Sequence, residues 1–349
     1  TVSIALLACS WIILKQTEFL RNQDLGFQKD NLVHVEYLAS TDKKSAIKNA
    51  LTGIPGVEGV SITWQSPLSG GSNQTFDNKG KSLSFQEFAV DTSFFKIFDI
   101  KIKATSAAYS TDGIYLNETA MADLGLGDDA VSFKMGENEI PILGIVKDFN
   151  FKELRSRIGP LMIRQQTPDF QASDVFLKIS GKNKFETADK IKEVYADLTE
   201  SAEFDLLFVD STIDQWYEKD ERTGKIIGYF TLLSFIISVM GMLGMSTFYM
   251  QQRKKEIGIR KVNGATIGEI LTLLNKDFMK WVILAFLIGL PITWYTMDKW
   301  LEGFAYKTQM SWWVFTLAGT LSGAIALLTL SWQSFKAAIA NPVEALREE

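Results

Sequence analysis

Charged residues are spread unevenly along this chain. Between Ile226 and Phe248 (IIGYFTLLSFIISVMGMLGMSTF) there is no charge in 23 positions. Two further runs are alike: Trp281 to Met297, 17 residues, and Ser311 to Trp332, 22 residues. A helix of 23 residues covers about 34 Å, enough for a hydrocarbon core of about 30 Å. These runs predict three membrane-crossing helices. Trp312 and Trp313 at one end of the last run, with Trp332 at the other, fit an interfacial aromatic belt. The opening run, Thr1 to Leu14, is apolar too, but it makes only about 21 Å of helix, short of a crossing. Lys15 follows where a signal peptide would carry its small-residue cleavage site. This run is read as the truncated first transmembrane helix of a longer polypeptide.

Residues 30 to 220 show shorter periods. Val57 to Trp64, Phe88 to Val90, Ile114 to Leu116, Glu139 to Asp148, Val175 to Ile179 and Leu206 to Val209 read as strands. Glu118 to Leu124, closed by Gly125, and Lys184 to Leu198 read as helices. Strands interleaved with helices predict α/β or α+β layering. Ser69 to Asn73 (SGGSN) reads as a flexible loop and lacks the Lys-Ser/Thr pair of a phosphate cradle. Ser211 to Lys225 opens with an N-cap serine and an acid, Asp214, three positions on. It leads directly into the apolar run from Ile226. Unbroken from Thr212 to Val262, that helix would measure about 75 Å, with Gly224, Gly228, Gly241 and Gly244 as its bending points.

Cations collect on one side. After Phe248 come Arg253, Lys254, Lys255, Arg260, Lys261, Lys276 and Lys280, against Glu256, Glu269 and Asp277. The link between the last two helices carries Asp298, Lys299, Glu302 and Lys307, which cancel. Positive-inside bias puts the first loop in the cytoplasm, residues 30 to 220 outside, and the tail from Gln333 inside. The layout is a four-helix membrane domain, its first helix truncated, with an α+β extracytoplasmic domain. Its boundaries are 1–29 for the first helix and stalk, 30–210 for the external domain and 211–349 for the second stalk, three helices and tail. Within the cationic loop a helix ends at Asn263-Gly264. Thr266 and Glu269 make a capping box, and Ile267, Ile270, Leu271, Leu274 and Phe278 form the next apolar stripe. On composition alone, this stretch reads equally well as a turn that fixes topology. Gly319 and Gly323 form GxxxG, Ser234, Ser238 and Gly241 form a small-residue stripe, and Pro291 is expected to kink its helix.

Little chemistry is visible. A net charge of −5 argues against nucleic-acid binding. Cys9 is the only cysteine, and His34, the only histidine, cannot build a multi-histidine metal site or more than one Ser-His-Asp arrangement. Asn73-Gln74-Thr75 and Asn117-Glu118-Thr119 match glycosylation sequons. No catalytic residue and no metal ligand is assigned. The external domain reads as a binding or docking module, not an enzyme.

The stretch RKKEIGIRKVNGA, residues 253 to 265, closely resembles the signature before the third helix of FtsX-like permeases of ABC transporters, the MacB family. Similar to that family too are FFKIFDIKI (94–102), LNETAMADLGL (116–126), GIVKDFNFKEL (144–154), IGPLMI (158–163), FVDSTIDQWYEKDERTGKI (208–226) and the tail AAIANPVEALREE (337–349). The order matches over nearly the whole chain, as in the second unit of a long permease with two four-helix units. The resemblance implies an external domain of MacB periplasmic-core type in the bacterial cytoplasmic (inner) membrane. It also implies an ABC ATPase subunit that binds the cytoplasmic loop and ATP, leaving no cofactor in this chain, and no Walker A sequence occurs here. Glu256, Ile257, Gly258, Arg260, Lys261, Gly264, Ala265 and Thr266 would form the coupling surface, and Gly319 and Gly323 would pack helices. Other implied partners are a periplasmic adaptor, a first four-helix unit or homodimer mate, and membrane lipid. The implied function is export or efflux by mechanotransmission, and the apolar membrane segments agree. The alternatives are an FtsX-type regulator of an external partner such as a cell-wall hydrolase, and a membrane-anchored sensor.

Overall fold

A computed structural model describes residues 2–37, 39, 43–66, 68, 71–78, 80–105, 113–165, 171–200 and 204–339. In chain order its elements are α1 (Val2–Arg21), β1 (Leu32–Glu36), α2 (Lys44–Thr52), β2 (Val57–Trp64), β3 (Ser72–Asn78), β4 (Lys81–Val90), α3 (Phe94–Ile97) and β5 (Ile102–Thr105). There follow β6 (Ile114–Asn117), α4 (Glu118–Leu124), β7 (Ser132–Met135), β8 (Asn138–Val146), β9 (Leu161–Gln165), β10 (Asp174–Ile179), α5 (Lys184–Thr199) and β11 (Leu206–Phe208). The chain closes with α6 (Val209–Gln252), α7 (Lys254–Val262), α8 (Ile267–Leu301) and α9 (Trp312–Ile339). Two compact units result. One is Asn22–Tyr217; the other joins the helix ending at Arg21 to the chain from Glu218 onward.

In the first unit the described strands form a single sheet in the order β11-β1-β10-β2-β4-β9-β6-β8-β5, with β3 added to β4 and β7 to β8. Among these pairs β4–β9 and β6–β8 are parallel and the rest antiparallel. This is the expected α+β class. Two apolar cores form. α2 and α5 cover β1, β2 and β10 through Ile47, Leu51, Ile191 and Tyr195, while α4 covers β6 and β8 through Ala120 and Met121. The lobes join where β2 and β4 share only two pairs, Thr63 with Val90 and Trp64 with Ala89. A chain of stacked rings links β1 and β10 to α3: half-buried His34 stacks on Phe176 at 4.8 Å, Phe176 meets Phe98 at 5.0 Å, and Phe98 meets Phe94 at 4.5 Å.

Local chemistry explains several element ends. α4 starts where the Asn117 side chain accepts the Ala120 N–H at 2.9 Å, and stops where Gly125 takes a left-handed φ of 69°. The same Asn117 amide accepts from Leu161 N at 2.8 Å and donates to the Gly159 carbonyl at 3.0 Å. It is fully buried, a structural knot instead of an exposed sequon.

Some expectations change. Ser72 and Asn73 lie in β3, opposite Glu87 and Gln86, not in a flexible loop; Ser69 and Gly70 of that stretch, and the tail from Asn341, fall outside the described residues. β3 has one large apolar side chain, Phe76, stacked on Phe85 at 5.1 Å, so backbone pairing defines it without an alternating pattern. Val209 begins α6 instead of ending β11. Ser211 is therefore no N-cap: it sits inside the first turn, its N–H donating to Asp210 Oδ1 at 2.7 Å.

Among the described residues four helices are long and apolar enough to cross a membrane: Val2–Arg21, Val209–Gln252, whose first residues belong to the first unit, Ile267–Leu301 and Trp312–Phe335. α1 does not stop at Leu14. Its 20 residues span about 30 Å, because the polar side chains that follow find partners. Gln16, fully buried, donates to the Tyr306 carbonyl and accepts from Thr308 N, both at 2.8 Å. Thr17 Oγ1 donates to the Ile13 carbonyl at 3.0 Å. α1, α8 and α9 share a core of Ile4, Ala8, Ile12, Met297, Phe315 and Ala318. α6 runs for 44 residues, about 66 Å, straight through its four glycines, but breaks at Arg253 before reaching Val262. Its membrane-length stretch is nearly bare, with Tyr229, Phe230, Ile237 and Met240 exposed. α8 continues unbroken through Pro291.

Candidate functional site

α7 is a nine-residue helix held between two long ones. Arg253 Nη1 and Arg260 Nη2 approach Glu256 at 3.8 Å and 2.9 Å, the latter an i,i+4 pair of the kind that supports an exposed helix. Its C-terminus closes as a Schellman motif. The Ala265 N–H donates to the Arg260 carbonyl at 2.9 Å and the Gly264 N–H to the Lys261 carbonyl at 3.1 Å. That geometry requires a left-handed residue, and Gly264 has φ +89°. The next residue but one starts α8 with the expected capping box. Thr266 Oγ1 accepts the Glu269 N–H at 3.3 Å and Glu269 Oε2 accepts the Thr266 N–H at 3.0 Å. Two interlocked caps thus fix the corner in a single conformation.

Beneath it Met250, Ile257, Ile270 and Leu274 form a small apolar core, with Tyr249 and Ala265 against it. A charged cluster fastens the end of α6 to α8. The Tyr249 hydroxyl donates to Asp277 Oδ2 at 2.9 Å, Arg253 lies 3.6 Å from the same carboxylate and 4.5 Å above the Tyr249 ring, and Lys280 Nζ is 3.0 Å from Asp277 Oδ1. On the outer side, a groove of about 490 Å³ is lined by Arg260, Asn263, Gly264, Ala265, Glu269 and Ile270.

The eight candidate residues divide. Arg260, Gly264 and Thr266 are exposed, and Glu256, Lys261 and Ala265 half-buried, whereas Ile257 and Gly258 are buried and build the corner from within. Sequence reasoning missed two exposed apolar side chains on α7, Ile259 (54% exposed) and Val262 (67%), while Ile267, read from the sequence as part of the apolar stripe of α8, is 42% exposed. The signal was available, since Ile259 and Val262 stand three apart on α7 opposite the buried Ile257. They lie on the solvent side of a basic helix, beside its cations.

Elsewhere, Gly319 lets α9 approach Phe286 so closely that a Cβ would lie 2.5 Å from its ring, while nothing lies within 4 Å at Gly323 or Gly241. The serines of the small-residue stripe bond to α1: Ser3 Oγ is 2.8 Å from Ser234 Oγ and 2.9 Å from Ser238 Oγ. His34 Nε2 is 2.6 Å from Asp174 Oδ1, but Ser173 Oγ donates to the same carboxylate and not to the imidazole. Serine and histidine both address the acid, so the nucleophile-to-base order of a triad is not formed. Among the described residues no cluster of three metal-ligating side chains occurs.

Residues 228–342 match the family described as FtsX-like permease C-terminal, so the likeness read from the sequence holds over that segment. The curated relative "Uncharacterized ABC transporter permease YknZ" of Bacillus subtilis (strain 168) is 30% identical over 125 residues, 36% of this chain and 31% of YknZ. The match therefore spans about a third of that relative's length. Among solved structures, the periplasmic region of MacB from Actinobacillus actinomycetemcomitans superimposes with a TM-score of 0.40 at 15% identity, covering 55% of this chain and 94% of that one. The extracellular domain of the ABC-type transporter YknZ from Gram-positive bacteria gives 0.37 at 9% identity, covering 51% and 100%.

Proposed function

We propose that this chain, with its FtsX-like permease segment from residue 228 to 342, is the transmembrane subunit of an ABC transporter in a bacterial inner membrane. It binds no cofactor itself; a partner ATPase binds ATP and holds the corner between α7 and α8. The observation that carries this reading is the corner itself. Its Schellman motif and capping box make it stiff, and it presents Ile259, Val262 and Ile267 beside Arg260 and Glu269 to the side where the cations collect.

A stiff docking element transmits displacement instead of absorbing it. When the ATPase closes on nucleotide, α7 moves with it, and its own core carries the end of α6 along. α6 is one helix back to Val209, where the external sheet ends. The proposed output is movement of residues 22–217 acting on a periplasmic adaptor or cargo, with export as the result and no path for cargo through the helices. A second permease unit, in the same polypeptide or in a homodimer mate, completes the assembly.

Glu256→Lys sets a third cation between Arg253 and Arg260, Gly264→Pro removes the donor to Lys261, and Val262→Asp charges the apolar face. Each variant should insert normally yet lose ATPase co-purification and stimulated ATP hydrolysis in membranes by about tenfold or more, one partly buried contact's worth. Undiminished binding and hydrolysis in all three would refute the assignment.

A further inference from the structure

Within the helical unit, α1, α6, α8 and α9 enclose a cleft of about 1190 Å³. For most of its length the wall is apolar, with Phe235, Met242 and Met245 on α6, Phe278 and Leu284 on α8 and Ala326 on α9. Met245 is 66% exposed and Leu284 46%, so the cleft is open along its side, where lipid would lie. Ser3, Ser238 and Ser322 also line it, but its charged side chains all lie at one end. There Tyr249, Gln252, Arg253, Asp277 and Lys280 line the mouth, beside Trp281. An apolar trough with a charged mouth and an interfacial tryptophan has the polarity of one lipid molecule.

The charges at that mouth do not balance. Of the lining residues Arg253 and Lys280 face one carboxylate, Asp277, an excess of one positive charge, while Glu256 on α7 lies against Arg260. Lys280 and Arg260 hold one carboxylate each at 3.0 and 2.9 Å. Arg253 is left at 3.6 and 3.8 Å from the same two groups, longer than hydrogen bonds. A guanidinium so placed is suited to a tetrahedral oxyanion, which it can meet with two N–H groups.

We propose that the cleft binds an anionic phospholipid, an acyl chain lying between α6 and α8 and the phosphate meeting Arg253 and Lys280. Basic pockets between membrane helices on the cytoplasmic side take anionic head groups for this reason. Because Arg253 is the residue at which α6 gives way to α7, the head group would bear directly on the break between those two helices. The inference rests on the membrane orientation given above, and not on the ATPase.

The full chain would be reconstituted in phosphatidylcholine bilayers containing a trace of spin-labelled phosphatidylglycerol or, separately, spin-labelled phosphatidylcholine, and the motionally restricted lipid measured by electron paramagnetic resonance. The wild type should prefer phosphatidylglycerol roughly fivefold, the share of one interfacial cation. Arg253→Gln with Lys280→Gln should abolish the preference, Lys276→Gln should keep it, and Ala326→Phe, which fills the trough, should release the restricted lipid whatever its head group. Equal binding of both lipids by the wild type would overturn the proposal. So would a preference surviving the double variant, which would trace it to the loop's general basicity, or restricted lipid unchanged in Ala326→Phe. Cross-links between copies through Met242→Cys in place of restricted lipid would assign the cleft to a second copy. ATP hydrolysis is read separately, so loss of the coupling reading leaves these outcomes interpretable.

Discussion

Asn117 makes three hydrogen bonds with one side-chain amide, joining the start of α4 to the strand β9 and the residue before Pro160. An alanine there would remove the α4 cap and leave the buried Leu161 N–H without its acceptor. The cap contributes about 1 kcal/mol and the orphaned donor about 1 to 3 kcal/mol more. Asn117→Ala should therefore destabilise the external unit by about 2 to 4 kcal/mol, seen as a lower denaturant midpoint for protease resistance of residues 22–217 in the intact protein. Asn117→Asp, which keeps both acceptor bonds, should lose less. Equal stability of wild type and alanine variant would remove the knot from the account. The sequon pattern at this position gave no hint of that role, since hydrogen bonds to Gly159 and Leu161 join residues more than 40 positions apart.

At the scale of elements, most of the long pieces were legible. β2 begins and ends at Val57 and Trp64 as read from the sequence after the Ile54-Pro55-Gly56 turn, and α4 and its Gly125 stop agree residue for residue. Turn and cap chemistry is local, so Thr266 with Glu269 could be read directly from spacing. What escaped was set by distant partners. α1 outlasts its apolar run because Gln16 is satisfied by residues 306 and 308, and β3 exists because β4 lies beside it. The α7 region was half legible: the cations marked it, but which of its residues point outward depended on the phase of the helix. Helix α6 invites a direct test. A flexible Gly-Ser segment inserted after Arg222 lies in polar sequence, so membrane insertion and ATPase binding should survive. Export should fall to background in a transport assay, because the helix no longer links its ends. Full export with such a hinge would make α6 a tether only.

The molecule as a whole is ordered by its charge asymmetry and by how the chain leaves and re-enters the helical unit. Val131 and Val262 are 63% and 67% exposed in the two units, which suits them to report sidedness. With Cys9 replaced by serine, Val131→Cys should react with an impermeant thiol reagent in intact spheroplasts, and Val262→Cys only after the membrane is opened. The opposite pattern would reverse the orientation. The external sheet also has a temporal consequence. β1 takes β11 as its neighbour, Val33 opposite Phe208 and Val35 opposite Leu206. The first strand to be synthesised is thus completed by the last, after nearly all of the unit has been made. Closing so long a loop costs little more than closing one half its length, about 0.6 kcal/mol, so the topology is a burden on time more than on stability. Until β11 arrives, that edge of β1 stays unpaired, open to wrong strand pairing. The residue after β11 is Val209, the start of α6. The strand that completes the sheet therefore leads directly into the long apolar helix, and the two are made one after the other in the birth of the protein.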